Sequence, residues 1–276
     1  MAEEPGLRFD RIAEDYDRVR SGYPTSLVDM ACAGAGLVAG SHVVEVGCGT
    51  GKLTQELVRH GLRVEAIDPG GALVEIARRR LREYNVTFHL GRFEDVELPA
   101  ASFDAVFSAT AFHWVDPRVG WTKAARLLRP NGVLALLAEV GGSLGELEPD
   151  VLAAWREVLP EAAAWVSRDA ATLWSGAGAR LADVSELWSW LMKREIASPD
   201  AGKLFVDVRL ETVPITRVES VEKVLALVRT QSAYLGLDPD RRQVLEERLR
   251  TIIERGGDTL RSTSFATLVT ARVTRT

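Results

Sequence analysis

The chain has 276 residues and a net charge of −5, a balance that argues against the basic surface of a nucleic-acid-binding protein. Hydrophobic residues make up 46% of it and no apolar run has the length of a membrane span, so we expect a globular protein with no membrane segment. The two cysteines are too few for a disulfide framework, and the N-terminus lacks the pattern of a secretory signal, so we expect a cytoplasmic location.

Strand-like and helix-like segments alternate over the first half of the chain, from about residue 26 to residue 138. The predicted helices are 26–37, 53–60, 71–84 and 121–128. The predicted strands are 43–46, 63–67, 86–90, 103–108 and 133–137, the last of them following a turn at Asn131-Gly132. Alternation of this kind predicts βαβ units and a parallel sheet.

The pattern changes after residue 140. Residues 141–199 lack strand-like alternation and are predicted to form a helical cap insertion. Two further strands, 205–213 and 265–273, and two amphipathic helices, 221–235 and 241–253, then return the chain to the sheet. We therefore predict an α/β fold with a doubly wound, Rossmann-like sheet of seven strands, mostly parallel with the last one antiparallel. Its core comprises residues 1–140 and 200–276, of which 1–25 form an N-terminal lid.

Five of the seven tryptophans lie in the predicted cap. They are Trp155, Trp165, Trp174, Trp188 and Trp190. They could line a pocket for an apolar or aromatic substrate, although tryptophans at helical spacing more often serve to pack helices together. On the helix that follows, Arg229, Ser232 and Tyr234 are further candidates for a pocket.

The strand 43–46 is followed by a glycine-rich loop that indicates a nucleotide-like ligand. Its glycines, on alternate positions, are Gly47, Gly49 and Gly51. Glycine can adopt positive φ and lets the backbone approach a ligand closely. A dinucleotide fingerprint needs its third glycine three positions after the second, where this chain has Lys52. Glu45, before the loop, also suits a cationic or hydroxyl-bearing ligand better than a diphosphate, so the motif argues against NAD.

Polar residues follow the next two strands at positions where such sheets bind ligands. Asp68 ends the second strand, where its carboxylate can accept hydrogen bonds from both hydroxyls of a ribose. After the third strand, Phe93 is placed to contact an adenine face and Glu94 to accept from the adenine amine. An acid here, either Glu94 or Asp95, could instead begin a helix.

The fourth strand is followed by Phe112-His113-Trp114. An imidazole near its ordinary pKa can act as a general base, so His113 is a candidate catalytic or substrate-contacting residue. The alternative is a structural corner that holds the loop. No group of histidines and acids has metal-ligand spacing, so we predict no metal.

Five motifs together resemble the class I S-adenosylmethionine-dependent methyltransferases that act on small molecules. They are Val-Glu-Val-Gly-Cys-Gly-Thr-Gly at 44–51, Ile-Asp-Pro at 67–69, Gly-Arg-Phe-Glu at 91–94, the segment 103–116, and Arg-Leu-Leu-Arg-Pro-Asn-Gly-Val-Leu at 126–134. The resemblance covers residues 9–138. It implies S-adenosylmethionine as cofactor, S-adenosylhomocysteine as product and a small organic molecule as the methyl acceptor.

The resemblance also implies roles for the residues of the first two motifs. The loop with Gly47 and Gly49 would hold the methionine portion of the cofactor, and Glu45 would orient the loop and water near the ammonium. Asp68 would bind the ribose, with Pro69 beside the adenine.

In the later motifs, Phe93 and Glu94 would bracket the adenine ring. The backbone at Ser108 and Ala109 would offer carbonyl oxygen to the methionine ammonium. Each of these roles is an expectation from the family.

The N-terminal segment 9–24 resembles the lid helix of the family, in which Tyr16 and Arg20 would close over the cofactor carboxylate. Two other interpretations stay open: an NAD-dependent oxidoreductase, which Lys52 opposes, and a cofactor-binding protein without turnover. The sequence does not decide the oligomeric state.

Overall fold

The computed structural model of the protein describes residues 5–160 and 170–274. Its described strands form one seven-stranded sheet in the order β3-β2-β1-β4-β5-β7-β6. The strands are β1 (His42–Val46), β2 (Arg63–Asp68), β3 (Val86–Leu90), β4 (Phe103–Ala109), β5 (Leu128–Ser143), β6 (Phe205–Ser220) and β7 (Thr259–Val273). Strands β1 to β5 pair in parallel, and the last strands are antiparallel. The predicted Rossmann-like fold is therefore confirmed.

Twelve described α-helices accompany the sheet. They are α1 (Ala13–Val19), α2 (Thr25–Ala35), α3 (Lys52–Arg59), α4 (Gly71–Arg80), α5 (Pro117–Leu127), α6 (Glu148–Val158), α7 (Ala170–Gly178), α8 (Val184–Met192), α9 (Ala201–Leu204), α10 (Val221–Arg229), α11 (Ser232–Leu235) and α12 (Pro239–Arg255). Short 3₁₀ helices span Pro5–Ile12, Phe112–Trp114 and Gly145–Leu147. Within 5–160 and 170–274, none of the helices has the length and apolar character needed to cross a membrane.

Strand β1 lies in the interior of the sheet, between β2 and β4, and is covered on both faces. Val43 and Val44 are fully buried, as expected for a strand covered on both sides. It pairs with β2 on one side and β4 on the other, so the strand order reverses between β1 and β4. Such a reversal opens a crevice at the carboxyl ends of the strands, where open α/β sheets bind their ligands.

Strand β5 and the late helix differ in detail from the sequence prediction. Strand β5 begins at Leu128, and the predicted turn at Asn131-Gly132 is an irregularity within the strand, with Asn131 at φ +68°. The predicted helix 221–235 is broken into α10 and α11. Thr230 lies at this break, where its hydroxyl donates to the carbonyl of Leu227 at 2.7 Å and caps α10.

The described residues form two compact units. The first contains those of Gly22–Val140, Trp174–Val213 and Ala266–Thr276. The second contains those of Met1–Ser21, Gly141–Leu173 and Pro214–Phe265. The functional division into core, lid and cap stays a prediction.

The tryptophans of the predicted cap differ in burial. Trp155 is buried in the second unit in an apolar cluster with residues of α10 and α12, and Trp188 is fully buried in the first unit. Trp174 and Trp190 are half-buried. Trp165 lies outside the described residues. Packing therefore accounts for Trp155 and Trp188.

Candidate functional site

The glycine loop lies at the carboxyl end of β1 and has two different neighbourhoods. Gly47 (φ +72°) packs so tightly that a Cβ at this position would come within 2.2 Å of the Ala111 Cβ. Around Gly49 (φ +52°), its chain neighbours aside, no described residue has an atom within 4 Å of where a Cβ would be. The loop is thus closed against the protein at Gly47 and open at Gly49, where a ligand can approach the backbone.

Asp68 links the end of β2 to this loop. Its Oδ2 accepts a hydrogen bond from the Gly49 N–H at 2.8 Å, and its Oδ1 accepts one from the Gly70 N–H at 2.8 Å. Both carboxylate oxygens are thus engaged by backbone N–H groups, one in the glycine loop and one in the turn after β2. Pro69, which follows, is half-buried. The predicted ribose acid therefore also organises the glycine loop.

Glu45 is buried on β1 with an incomplete set of partners. It is 1% exposed, and its Oε2 has no hydrogen-bond partner among the described residues. Burial, with the negative charge of Asp68 adding to it, raises the pKa of Glu45 to about 8. A buried carboxylate is stabilised by a cation or a hydrogen-bond donor. Glu45 therefore suits a ligand that brings positive charge or an ordered water, as an ammonium group would.

Strand β4 brings the third part of the site to the same edge. The buried Ser108 hydroxyl donates to the carbonyl of Val46 at 2.8 Å and ties β4 to β1 at the reversal of strand order. Ala109 pairs with Leu137 of β5. Both residues lie at the carboxyl end of β4, where the sequence places the contact with the methionine ammonium; that role stays a prediction.

Phe93 is packed inside the first unit. It is 2% exposed, its ring centroid lies 6.4 Å from that of Phe112, and the Lys123 Nζ lies 5.3 Å from the ring. Contact between this ring and an adenine would require local rearrangement. The predicted role of Phe93 at the adenine stays a prediction.

Glu94 has protein partners that were not expected from the sequence. Its Oε1 accepts from the Arg92 Nη2 at 3.0 Å and from the Asp116 N–H at 2.8 Å. Although burial opposes the charge, these hydrogen bonds keep the pKa of Glu94 below its ordinary value. Glu94 thus anchors the start of α5, and its predicted contact with the adenine amine stays a prediction.

His113 lies on the 3₁₀ turn after β4. The turn is closed by a hydrogen bond from the Trp114 N–H to the Ala111 carbonyl at 2.9 Å. The buried Nδ1 of His113 has no partner among the described residues. Burial, reinforced by the positive charge of Arg194, lowers the pKa of His113 to about 3. The ring is therefore neutral near pH 7 and a weaker base than an ordinary imidazole, so it is better suited to hydrogen bonding than to proton abstraction.

The predicted lid residues belong to the second unit. The Arg20 Nε donates to the Thr230 Oγ1 at 2.9 Å, and its Nη2 donates to the Thr230 carbonyl at 3.0 Å. The Arg20 guanidinium also lies 5.7 Å from the ring centroid of Tyr16. Arg20 therefore joins the N-terminal segment to the end of α10. The predicted closure of Tyr16 and Arg20 over a carboxylate stays a prediction.

Arg229 and Tyr234 share a partner that the sequence did not indicate. Arg229 forms a bidentate ion pair with Glu246 of α12, and the Tyr234 hydroxyl donates to the same carboxylate. Burial and this acid raise the pKa of Tyr234 to about 12. These side chains serve a hydrogen-bond network within the second unit, and no motif marks Glu246.

Arg194 is another residue without a sequence signal. Its Cζ lies 4.2 Å from the ring centroid of Trp114, in the first unit. It lies far from Trp114 along the chain, so only the fold brings the two together.

Comparison with known proteins identifies the family. A model described as "Methyltransferase domain" matches residues 44–136. An uncharacterized methyltransferase of Mycobacterium tuberculosis is 38% identical over 131 residues, which are 48% of this chain and 51% of that protein. The chain thus spans about half the length of this curated relative.

Two further proteins match over a larger share of their length. The demethylmenaquinone methyltransferase of Tropheryma whipplei is 33% identical over 175 residues, 59% of this chain and 70% of that protein. A solved structure from Anaeromyxobacter dehalogenans, described as that of a candidate type II methyltransferase, has a TM-score of 0.58 at 25% identity and covers 92% of this chain and 97% of its own. The chain belongs to the class I S-adenosylmethionine-dependent methyltransferase family.

Proposed function

We propose that this protein transfers the methyl group of S-adenosylmethionine to oxygen, nitrogen or carbon of a small organic molecule. The observation that carries the proposal is the open backbone at Gly49, which the Asp68 carboxylate holds, together with the buried Glu45 Oε2, which has no hydrogen-bond partner within the described part of the chain. Together these groups suit a ligand with a ribose and a cationic amino-acid portion. Membership of the family supports the same cofactor.

The residues of the first unit fit that cofactor group by group. Asp68, at the end of β2, would bind the ribose hydroxyls, and Glu45 can balance the charge of an ammonium. The carbonyls at the end of β4, from Ser108 and Ala109, would complete the ammonium site. When bound, the cofactor supplies a methyl group already activated on a sulfonium.

The protein then contributes mainly positioning of the acceptor and exclusion of water. A carboxylate acceptor can attack as it stands, whereas a hydroxyl, an ammonium or an acidic carbon must lose a proton. His113 is neutral, and its Nδ1 has no partner in residues 5–160 and 170–274, so it can hydrogen-bond the acceptor and orient it.

Calorimetry with S-adenosylhomocysteine tests the proposal. We expect binding at roughly micromolar strength and none for NAD. Asp68→Ala should weaken this binding at least about ten-fold, since one charge-assisted hydrogen-bonding group is lost.

A matched control is Asp104→Asn, at the start of β4. Asp104 accepts from the His42 N–H and the Arg129 Nη1, both at 2.7 Å. This variant should bind S-adenosylhomocysteine as the wild type does. Binding of NAD without S-adenosylhomocysteine would overturn the proposal, and unchanged affinity in Asp68→Ala would reject the ribose role.

Turnover is tested by S-adenosylhomocysteine release with a panel of small acceptors. Release with at least one acceptor supports the enzyme. Tight cofactor binding with no release from any acceptor would favour a binding protein without turnover. The absence of a nucleic-acid partner and a cytoplasmic location stay predictions of the sequence.

A further inference from the structure

The glycine loop contains a β-turn whose conformation depends on groups outside it. The Gly51 N–H donates to the Cys48 carbonyl at 2.9 Å, so Gly49 and Thr50 are the two central residues of the turn. This closing hydrogen bond uses neither the Gly49 N–H nor the Thr50 carbonyl. Backbone polar groups near the protein interior need partners, so these two have to be bound from elsewhere.

Two charged side chains of opposite sign bind these two backbone groups. The Asp68 Oδ2 accepts from the Gly49 N–H at 2.8 Å. The Arg80 Nη1 donates to the Thr50 carbonyl, and it also lies 3.4 Å from the Thr50 Oγ1. Hydrogen bonds to ionised groups are stronger than those between neutral groups. The turn is therefore held on one side by an anion and on the other by a cation.

Both charged residues belong to one continuous segment, from the end of β2 to the end of α4. The Asp68 Oδ1 accepts from the Gly70 N–H at 2.8 Å, directly before α4 begins at Gly71. Arg80 is the last residue of the same helix. The position of α4 therefore determines whether both contacts with the turn can form together.

Packing holds the end of α4 against the turn. A Cβ at Gly51 would come within 3.0 Å of the Ala77 Cβ and within 3.0 Å of the Leu81 Cδ1. Ala77 and Leu81 are 0% and 1% exposed, and residues four apart share one face of a helix. Arg80, which is half-buried, thus extends towards Thr50 from a backbone that is itself fixed against the loop.

We propose that Arg80 is a positioning residue for the methyl donor: it holds the Thr50 carbonyl and so keeps the turn in the conformation that leaves the Gly49 backbone open to the cofactor. The inference rests on the proposed methyltransferase function. A turn that is correctly formed for only part of the time binds its ligand more weakly by that fraction. Arg80 acts through the loop, so its loss should affect cofactor binding and leave the transfer step unchanged.

Hydrogen exchange of the ligand-free protein, followed by NMR, tests the contact with the turn directly. The Gly51 amide, which closes the turn, should exchange about ten-fold faster in Arg80→Ala than in the wild type, because a charge-assisted hydrogen bond is lost. The Val44 amide in the buried strand β1 is the internal reference and should exchange at the same rate in both proteins.

Cofactor binding and turnover test the functional consequence. The affinity for S-adenosylhomocysteine, measured by calorimetry, should fall about ten-fold in Arg80→Ala. With an acceptor from the panel, KM for S-adenosylmethionine should rise by a similar factor while kcat stays within about two-fold. Arg80→Lys should restore part of the affinity, because an ammonium can also donate to a carbonyl but lacks the planar geometry of the guanidinium.

Arg78→Ala is the matched control, since it removes the same charge from the same helix. The Arg78 Cζ lies 5.7 Å from the ring centroid of Phe88 on β3. This variant should keep the wild-type Gly51 exchange rate and cofactor affinity. An equal loss of affinity in Arg78→Ala would indicate an effect of net charge and overturn the role of Arg80.

Two further results would also reject the role of Arg80. They are an unchanged Gly51 exchange rate in Arg80→Ala, and an unchanged affinity of this variant for S-adenosylhomocysteine. If the wild type binds S-adenosylhomocysteine, either result rejects only the positioning role. If the wild type does not bind it, the methyltransferase proposal fails, and the exchange rates still show whether Arg80 orders the turn.

Discussion

The Asp68 carboxylate accepts a hydrogen bond from the Gly49 N–H at 2.8 Å, so the acid at the end of β2 holds the open part of the loop that follows β1. Its other oxygen binds the Gly70 N–H at the same distance. Loop conformation and the proposed ribose contact are thereby coupled. Substitution by alanine should, however, have different effects at Gly47 and at Gly49.

Gly49→Ala should weaken S-adenosylhomocysteine binding with little change in folding. Its Cβ would enter open space, and the left-handed conformation costs a non-glycine residue only about 1 kcal/mol. Gly47→Ala should instead lower the free energy of unfolding by about 2–4 kcal/mol, because its Cβ would clash with Ala111. Urea unfolding and calorimetry on both variants check this; equal stability of the two would contradict it.

Glu45 should make the protein less stable as the pH rises. Its pKa is raised from 4.5 to about 8 in the folded state, so between these values the folded protein holds a proton that the unfolded chain has released. The contribution of Glu45 to the free energy of unfolding is therefore greatest below pH 4.5 and declines as the pH rises to about 8. Glu45→Gln should remove this decline and stabilise the ligand-free protein by about 1–3 kcal/mol at high pH. Urea unfolding across this range provides the measurement, and parallel curves for both proteins would refute the prediction.

His113 should make the protein less stable as the pH falls, which is the opposite of the effect of Glu45. Its pKa is lowered from 6.5 to about 3, so between these values only the unfolded chain binds the proton and stability is lost as the pH falls. In His113→Gln, the free energy of unfolding should therefore fall less as the pH is lowered over this range. In the pH profile of kcat/KM, no inflection near 6.5 should depend on His113. An inflection that the wild type shows and the Gln variant lacks would establish a base of ordinary pKa instead.

Glu246→Ala should destabilise the protein by about 1–3 kcal/mol, because Arg229 and Tyr234 lose their common acceptor. Glu247→Ala, an exposed neighbour on α12, is the control and should change the free energy of unfolding by less than about 0.5 kcal/mol. Chemical denaturation measures both, and similar losses in the two variants would argue against the network.

Local patterns account for the parts of the fold and site that could be predicted. The apolar run of β1, the alternate glycines after it and the acid at the end of β2 each depend on short-range preferences for buried strands, positive φ and strand ends. The interruption between α10 and α11 was not predicted, because helical periodicity does not include capping contacts such as that of the Thr230 hydroxyl with the Leu227 carbonyl.

By itself, the sequence determined the sheet, the glycine loop and the family, because hydrophobic periodicity and glycine spacing are written along the chain. Only the tertiary structure decided which polar side chains are buried and which partners they have. Burial lowers the pKa of His113, Glu246 accepts hydrogen bonds from Arg229 and Tyr234, and the Arg194 guanidinium lies over the Trp114 ring. Partners of this kind come from distant segments, and burial changes the free energy of a charge in ways that no local pattern records.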